Sequence, residues 1–203
     1  MNVHISIGLA ALFLSLQVGA SASDGAAHAA HAASAAPPSP HGMHPHKEGM
    51  PHKKQGGGMA VASLSPAANG GATGLVMFHA KGEDLMVHVK ASGFAPGSAH
   101  GFHVHANGNC ASPDFSSAGG HFNPGGHPHG PQDGARHAGD MPNLQADAEG
   151  KVDQKFLLRG GKLLGDAGIV GRAVIIHVDP DDFQTQPTGN SGARMACGVI
   201  AAH

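Results

Sequence analysis

The sequence predicts an all-β fold, an antiparallel sandwich or barrel of short strands. Three observations carry that reading. Apolar residues recur at every second position in several short runs, the period of a strand. Turn residues separate the runs: the 203-residue chain carries 32 Gly and 14 Pro, and its Gly fraction is about twice the usual ~7%. No segment of useful length after residue 58 carries the 3.6-residue period of an amphipathic helix.

The elements follow in order. "MAVASLSP" from Met59 is a short strand closed by a Pro, and "TGLVMFHA" from Thr73 is a second. "LMVHVKA" alternates, with Leu85, Val87 and Val89 on one face. "AHGFHVHA" reads as a fourth strand; Phe102 and Val104 share one face, and His103 and His105 stand together on the other. From Asn107 to Gly150 the chain is Gly- and Pro-rich, too long for a structureless loop unless it is functional or held by something. "KVDQKFLL" is a fifth strand, with another expected near Gly168. "RAVIIHV" and "ARMACGVIAA" are apolar strands near the end.

The first 58 residues are different material. Residues 1–20 read as a secretory signal: Ile5 to Val18 is mostly apolar and short for a bilayer, and small residues at 20–22 suit cleavage. No Cys lies near to take a lipid. A periplasmic or otherwise secreted protein is expected. Residues 21–58 hold Ala, Pro, Gly and His with almost no large apolar side chain, so they read as a disordered tail. The folded domain is expected over 59–203. A net charge of −2 suggests no nucleic-acid partner, and none with membrane is expected after signal cleavage. Cys110 and Cys197 are the two cysteines. In an exported chain they most simply form one disulfide, the other reading being two free buried thiols.

The long loop suggests metal. "GGHFNPGGHPHGPQDGARHAGD" packs His121, His127, His129, His137 and Asp140 into a short span. Three imidazoles and a carboxylate suit tetrahedral zinc. Metal bonds could replace the apolar contacts the loop lacks. His127 and His129 lie two apart, and either could serve.

The segments "GFHVH", "GGHFNP", "RHAGD", "GRAVIIH" and "GARMACGVI" occur in that order, and over about residues 59–202 the chain resembles the copper,zinc superoxide dismutases. The resemblance implies an eight-stranded Greek-key β-barrel with long metal-binding loops. It implies copper on His103, His105, His121 and His177, and zinc on His121, His129, His137 and Asp140, with one ion of each per subunit. His129 is favoured over His127 because the family pattern sets Gly-Pro directly after the ligand, as in "HGP". Asp181 resembles the family's aspartate that links a copper His to a zinc His. Cys110–Cys197 matches the family disulfide, and Arg194 the arginine beside copper. His121 and Arg194 are the residues expected in catalysis. The implied reaction converts two superoxide anions to O2 and H2O2 by copper redox cycling. The family is compatible with a homodimer and fixes no interface here.

Two features stand apart. Residues 178–192 hold no Lys or Arg, so steering of an anionic substrate is not expected from that segment. The tail carries His41, Met43, His44, His46, Met50 and His52. Imidazole suits Cu(II) and zinc and thioether suits Cu(I), so the tail is a candidate for copper capture. The alternative reading is a non-catalytic copper-binding or copper-delivery protein on the same scaffold.

Overall fold

A computed structural model describes residues 58–203. The expectations placed on residues 1–57, namely the signal, the cleavage site and the His/Met tail, lie outside the described residues. Ten strands follow in chain order: β1 (Met59–Pro66), β2 (Thr73–Lys81), β3 (Asp84–Ser92), β4 (Ala99–His100), β5 (Phe102–His105), β6 (Leu144–Gln145), β7 (Lys151–Leu158), β8 (Ala173–His177), β9 (Arg194–Val199) and β10 (Ala201–Ala202). The helical structure among the described residues is a single 3-10 turn at Ser116–Ala118.

Alternation places the core. Ala60, Ala62, Leu64, Val76, Phe78, Leu85, Val87 and Val89 point inward from β1, β2 and β3. Phe102, Val104, Val174, Ile176 and Ala196 meet them from the facing strands. Gly82, at φ 64°, makes the tight β2–β3 turn, where positive φ suits the twist of a hairpin.

The main sheet runs β5-β8-β9-β1-β2-β3-β7, with β10 also on β1, and every pairing is antiparallel. β7 lies beside β3 although β4 to β6 intervene in sequence, which is the Greek-key crossing. The sheet curls on itself. At the seam, β4 pairs with β6. The Gln154 amide on β7 then donates to Asn143 O (3.0 Å) and accepts from Gln145 N (3.1 Å), joining β6 to β7 without a ladder.

Three expected elements differ. The run at residues 99–106 breaks at Gly101, because its two halves serve different partners. Ala99–His100 pairs with β6, whereas Gly101 N donates to Asp179 O (2.8 Å) and Gly101 O accepts from His177 N (2.8 Å). No strand forms near Gly168, where one isolated bridge joins it to Lys162. The last run breaks at Ile200, whose N donates to Arg172 O (2.8 Å) before the chain passes to β1.

Candidate metal centre

The site sits where the long loop lies on β5 and β8. All four residues of β5 are buried, not only the core face, because the loop covers His103 and His105. Isolated bridges join His103 to Asp140 and His105 to His121. Three backbone bonds lock this junction: Val104 N to Gly139 O (2.9 Å), Phe122 N to Val104 O (2.8 Å) and Gly139 N to Phe122 O (2.9 Å). Gly139 has to be Gly, because a Cβ there would collide with Val104 O.

Two groups of buried donors result, each with its potential ligand atoms within 4.8 Å of one another. One is His103, His105, His121 and His177; the other is His121, His129, His137 and Asp140. They share His121. His127 is exposed, its backbone tied to the Asn123 side chain, and it lines a separate cleft of about 750 Å³ with Arg136 and Arg159. Of the two neighbouring imidazoles, His129 is therefore the one brought into the group.

Hydrogen bonds settle which nitrogen of each ring faces the centre. Asp181 takes His103 Nε2 at 2.7 Å and His129 Nε2 at 2.9 Å, freeing both Nδ1 atoms. His105 Nδ1 donates to Gly119 O (2.9 Å) and His177 Nδ1 to Gly192 O (3.2 Å), freeing both Nε2 atoms. Carboxylate and carbonyl partners of this kind fix the tautomer of ligating histidines. His121 turns Nδ1 toward Asp140 Oδ1 (2.9 Å) and His137 Nδ1 (3.4 Å), with Nε2 on its other side.

The donors fit metal ions. His103 Nδ1, His121 Nε2 and His129 Nδ1 are buried with no hydrogen-bond partner, which is costly for polar atoms unless something else occupies them. His129 Nδ1 lies 2.9 Å from Asp140 Oδ2 yet out of hydrogen-bond alignment, as two atoms aimed at a common point would be. His105 Nε2 and His177 Nε2 are 3.4 Å apart, as are His137 Nδ1 and His121 Nδ1. Two nitrogens at about 2.0–2.1 Å from one tetrahedral ion are about 3.3–3.4 Å apart.

The electrostatics agree. Burial pushes the imidazolium form out of His103, lowers His105 to about 2 and lowers His177 to about 4. Neutral imidazole is the form that binds metal. Burial opposes the charge on Asp140, but its bond to His121 and the nearby His129 and His137 prevail and hold its carboxyl well below the usual range.

Arg194, at the start of β9, donates to Phe115 O and to Gly119 O (2.6 Å). Gly119 O is also the acceptor of His105, so the guanidinium sits beside the all-histidine group. It lines a cleft of about 520 Å³ with Asp114, Ser116 and Gly192. Cys110 and Cys197 form the disulfide, with Cα atoms 5.8 Å apart, tying the loop to β9.

Sequence reasoning missed three supports. Gln186 clamps the His129 backbone, accepting from its N (2.8 Å) and donating to its O (2.9 Å). The Asn143 amide does the same for Asp181, at 2.8 Å both ways. His100 donates from Nδ1 to His177 O (2.8 Å), and Ser98 Oγ sits 2.7 Å from its other nitrogen. The closeness of His100 to His103 and His105 in sequence was the available signal for the last.

A family model described as copper/zinc superoxide dismutase (SODC) matches residues 72–200. The chain is 44% identical over 124 residues to the superoxide dismutase-like protein YojM of Bacillus subtilis, a match covering 58% of this chain and 63% of that protein. It thus spans just under two thirds of that relative. It is 39% identical over 146 residues to the Cu-Zn superoxide dismutase of Deinococcus radiodurans, covering 66% of this chain and 79% of the other. Among solved structures, a double mutant of a SOD-like protein from Bacillus subtilis, with two changes to histidine, matches with TM-score 0.63 at 40% identity, covering 70% of this chain and 96% of that one.

Proposed function

The chain belongs to the copper/zinc superoxide dismutase family, and from that premise we propose that it is an exported, catalytically competent superoxide dismutase holding one copper and one zinc. The observation that carries the reading is the sharing of His121 between two buried donor groups, with unpartnered ring nitrogens aimed into them. His103 Nδ1, His105 Nε2, His177 Nε2 and His121 Nε2 are the copper donors. His121 Nδ1, His129 Nδ1, His137 Nδ1 and Asp140 are the zinc donors. When bound, copper supplies the one-electron exchange that oxidises one superoxide to O2 and reduces a second, which with two protons becomes H2O2.

The chain's own residues do the rest. Arg194 offers a fixed cationic fork to a small anion, held in place by the carbonyls of Phe115 and Gly119. His121 Nε2 would carry a proton for the product whenever that nitrogen is not ligating, with Asp140 at 2.9 Å from Nδ1 keeping the ring in place. Asp181 couples the two groups by holding one ring of each. Residues 1–20 supply the export reading, and the His/Met tail supplies an additional role in copper capture.

The relative named superoxide dismutase-like gives the second reading some weight: a copper-binding protein without turnover. The presence here of both complete donor groups and Arg194 favours catalysis. The test is superoxide dismutation by the mature protein loaded with copper and zinc, against metal-free protein. Fast copper-dependent turnover is expected. Tight copper binding without turnover would overturn the enzyme reading and leave the binder.

A further inference from the structure

The outer face of the sheet carries a second collection of metal donors, on strands that hold none of the residues of the buried centre. Met77 and His79 point outward from β2, alternating with the buried Val76 and Phe78. Met86 and His88 point outward from β3, between Leu85, Val87 and Val89. The register sets His79 opposite Met86 and Met77 opposite His88. These four residues form a square in which imidazole and thioether alternate. Directly opposed residues have Cβ atoms about 4.5–5.5 Å apart, and alternate residues on a strand are about 6.5–7 Å apart. Four long side chains on so small a patch can converge on one ion.

The pattern continues sideways. Met59 on β1 is the register partner of His79. Ala60 pairs with Ala202, and His203 N donates to Met59 O (2.9 Å), which sets His203 beside Met59. One row across the sheet therefore reads His203, Met59, His79, Met86. The distribution of methionine supports the patch. Of the five described methionines, Met141 is in the core and Met195 packs against it, and the other three are all here.

His88 has the support that ligating histidines usually have. Its Nε2 bonds Asp153 Oδ1 at 2.6 Å, which leaves Nδ1 as the free nitrogen. Lys90 shares that carboxylate (2.9 Å), and Lys155 stands opposite His88. No carboxylate belongs to the square itself, so a hard, highly charged cation has little to bind. Thioether and imidazole donors select a soft, singly charged one.

We propose that Met77, His79, Met86 and His88, flanked by Met59 and His203, form a surface site for Cu(I), distinct from the buried centre and from the tail. The test uses full-length protein, already loaded with copper and zinc, carrying ¹³C-methyl methionine and titrated with Ag(I) as a redox-inert stand-in. The methyl signals of Met77 and Met86 should shift within two added equivalents, with those of Met141 and Met195 unmoved. The full-length M77L/M86L variant keeps side-chain volume. Against a chromophoric Cu(I) chelator it should lose one equivalent of bound Cu(I), or hold it at least tenfold more weakly, with dismutation unchanged. Static Met77 and Met86 signals, or shifts confined to Met43 and Met50, would overturn the site. Neither result bears on turnover at the buried centre, so the two proposals fail separately.

Discussion

At the scale of single residues, Asp181 is the side chain whose removal separates geometry from ligation. It is fully buried, supplies no donor to either group, and bonds one imidazole of each. Asp181→Asn keeps the shape but replaces one acceptor oxygen by a donor, so one of the two rings loses its fixed tautomer. Changes to such supporting carboxylates weaken metal binding about 10–100-fold. Phe183 N donates to Asp181 Oδ1 (2.6 Å), the oxygen that also serves His129, so the new amide nitrogen takes the place of Oδ2, toward His103. Competition with a chelator should find copper affinity reduced within that range, with the fold intact by circular dichroism. An unchanged affinity would mean that the packing of β5, not Asp181, sets the His103 ring. Arg194 is the complementary case, a charge with no ligand role. Arg194→Gln removes one charge-assisted contact, about 1.5–3 kcal/mol. That corresponds to a loss of about ten- to a hundredfold in kcat/KM. Bound copper should stay at the same stoichiometry, and Arg194→Lys should recover part of the rate. Loss of copper instead would show that Arg194 acts by holding the Phe115–Gly119 loop.

At the scale of elements, the long loop depends on anchors at both ends. The Cys110–Cys197 bridge spans 87 residues of sequence. Closing a loop of that length is worth about 4–5 kcal/mol in the chain-entropy model. The double Cys→Ser variant should melt about 10 °C lower or more, since about 1 kcal/mol moves Tm by about 2–4 °C at this size. A much smaller shift would mean that the metal groups already close the loop. The same elements show how far sequence reading reaches. β1 and β7 have the bounds that alternation gives, because one face of each meets the core and the other does not. β6 was not legible: two residues carry no period, and their partner is set by where β4 lies. The break at Gly101 was also hidden, because it depends on which segments approach each half of the run. The donor residues were visible as a resemblance in ordered segments. Gln186 and Asn143 were not, because a side-chain amide bonding a distant backbone leaves no pattern in either segment.

At the scale of the whole molecule, the centre makes the metal-free protein sensitive to acid. His103, His105 and His177 are held neutral by burial, with His105 lowered to about 2 and His177 to about 4. In the unfolded chain such groups titrate near 6.5. The sign follows from proton counts. Below about pH 6.5 the unfolded chain binds protons that the native state refuses, so stability present above that pH falls as the pH drops toward 4. Asp140 acts in the same direction in a lower window. Its carboxyl is held below the usual range, so its contribution is present above about pH 3.8 and is lost below it. Each neutral imidazole costs about 1.4 kcal/mol per pH unit in the upper window, and a domain has only about 5–15 kcal/mol to lose. The metal-free protein should therefore show a denaturation midpoint that falls steadily between pH 7 and pH 5. The metal-loaded protein should hold its midpoint further down, because the ions compete with protons for the same nitrogens. Guanidinium titrations of both forms at three pH values decide it. A flat midpoint for the metal-free form would mean that the loop opens and hydrates the imidazoles while the barrel stays folded, making the centre a separate unit of stability.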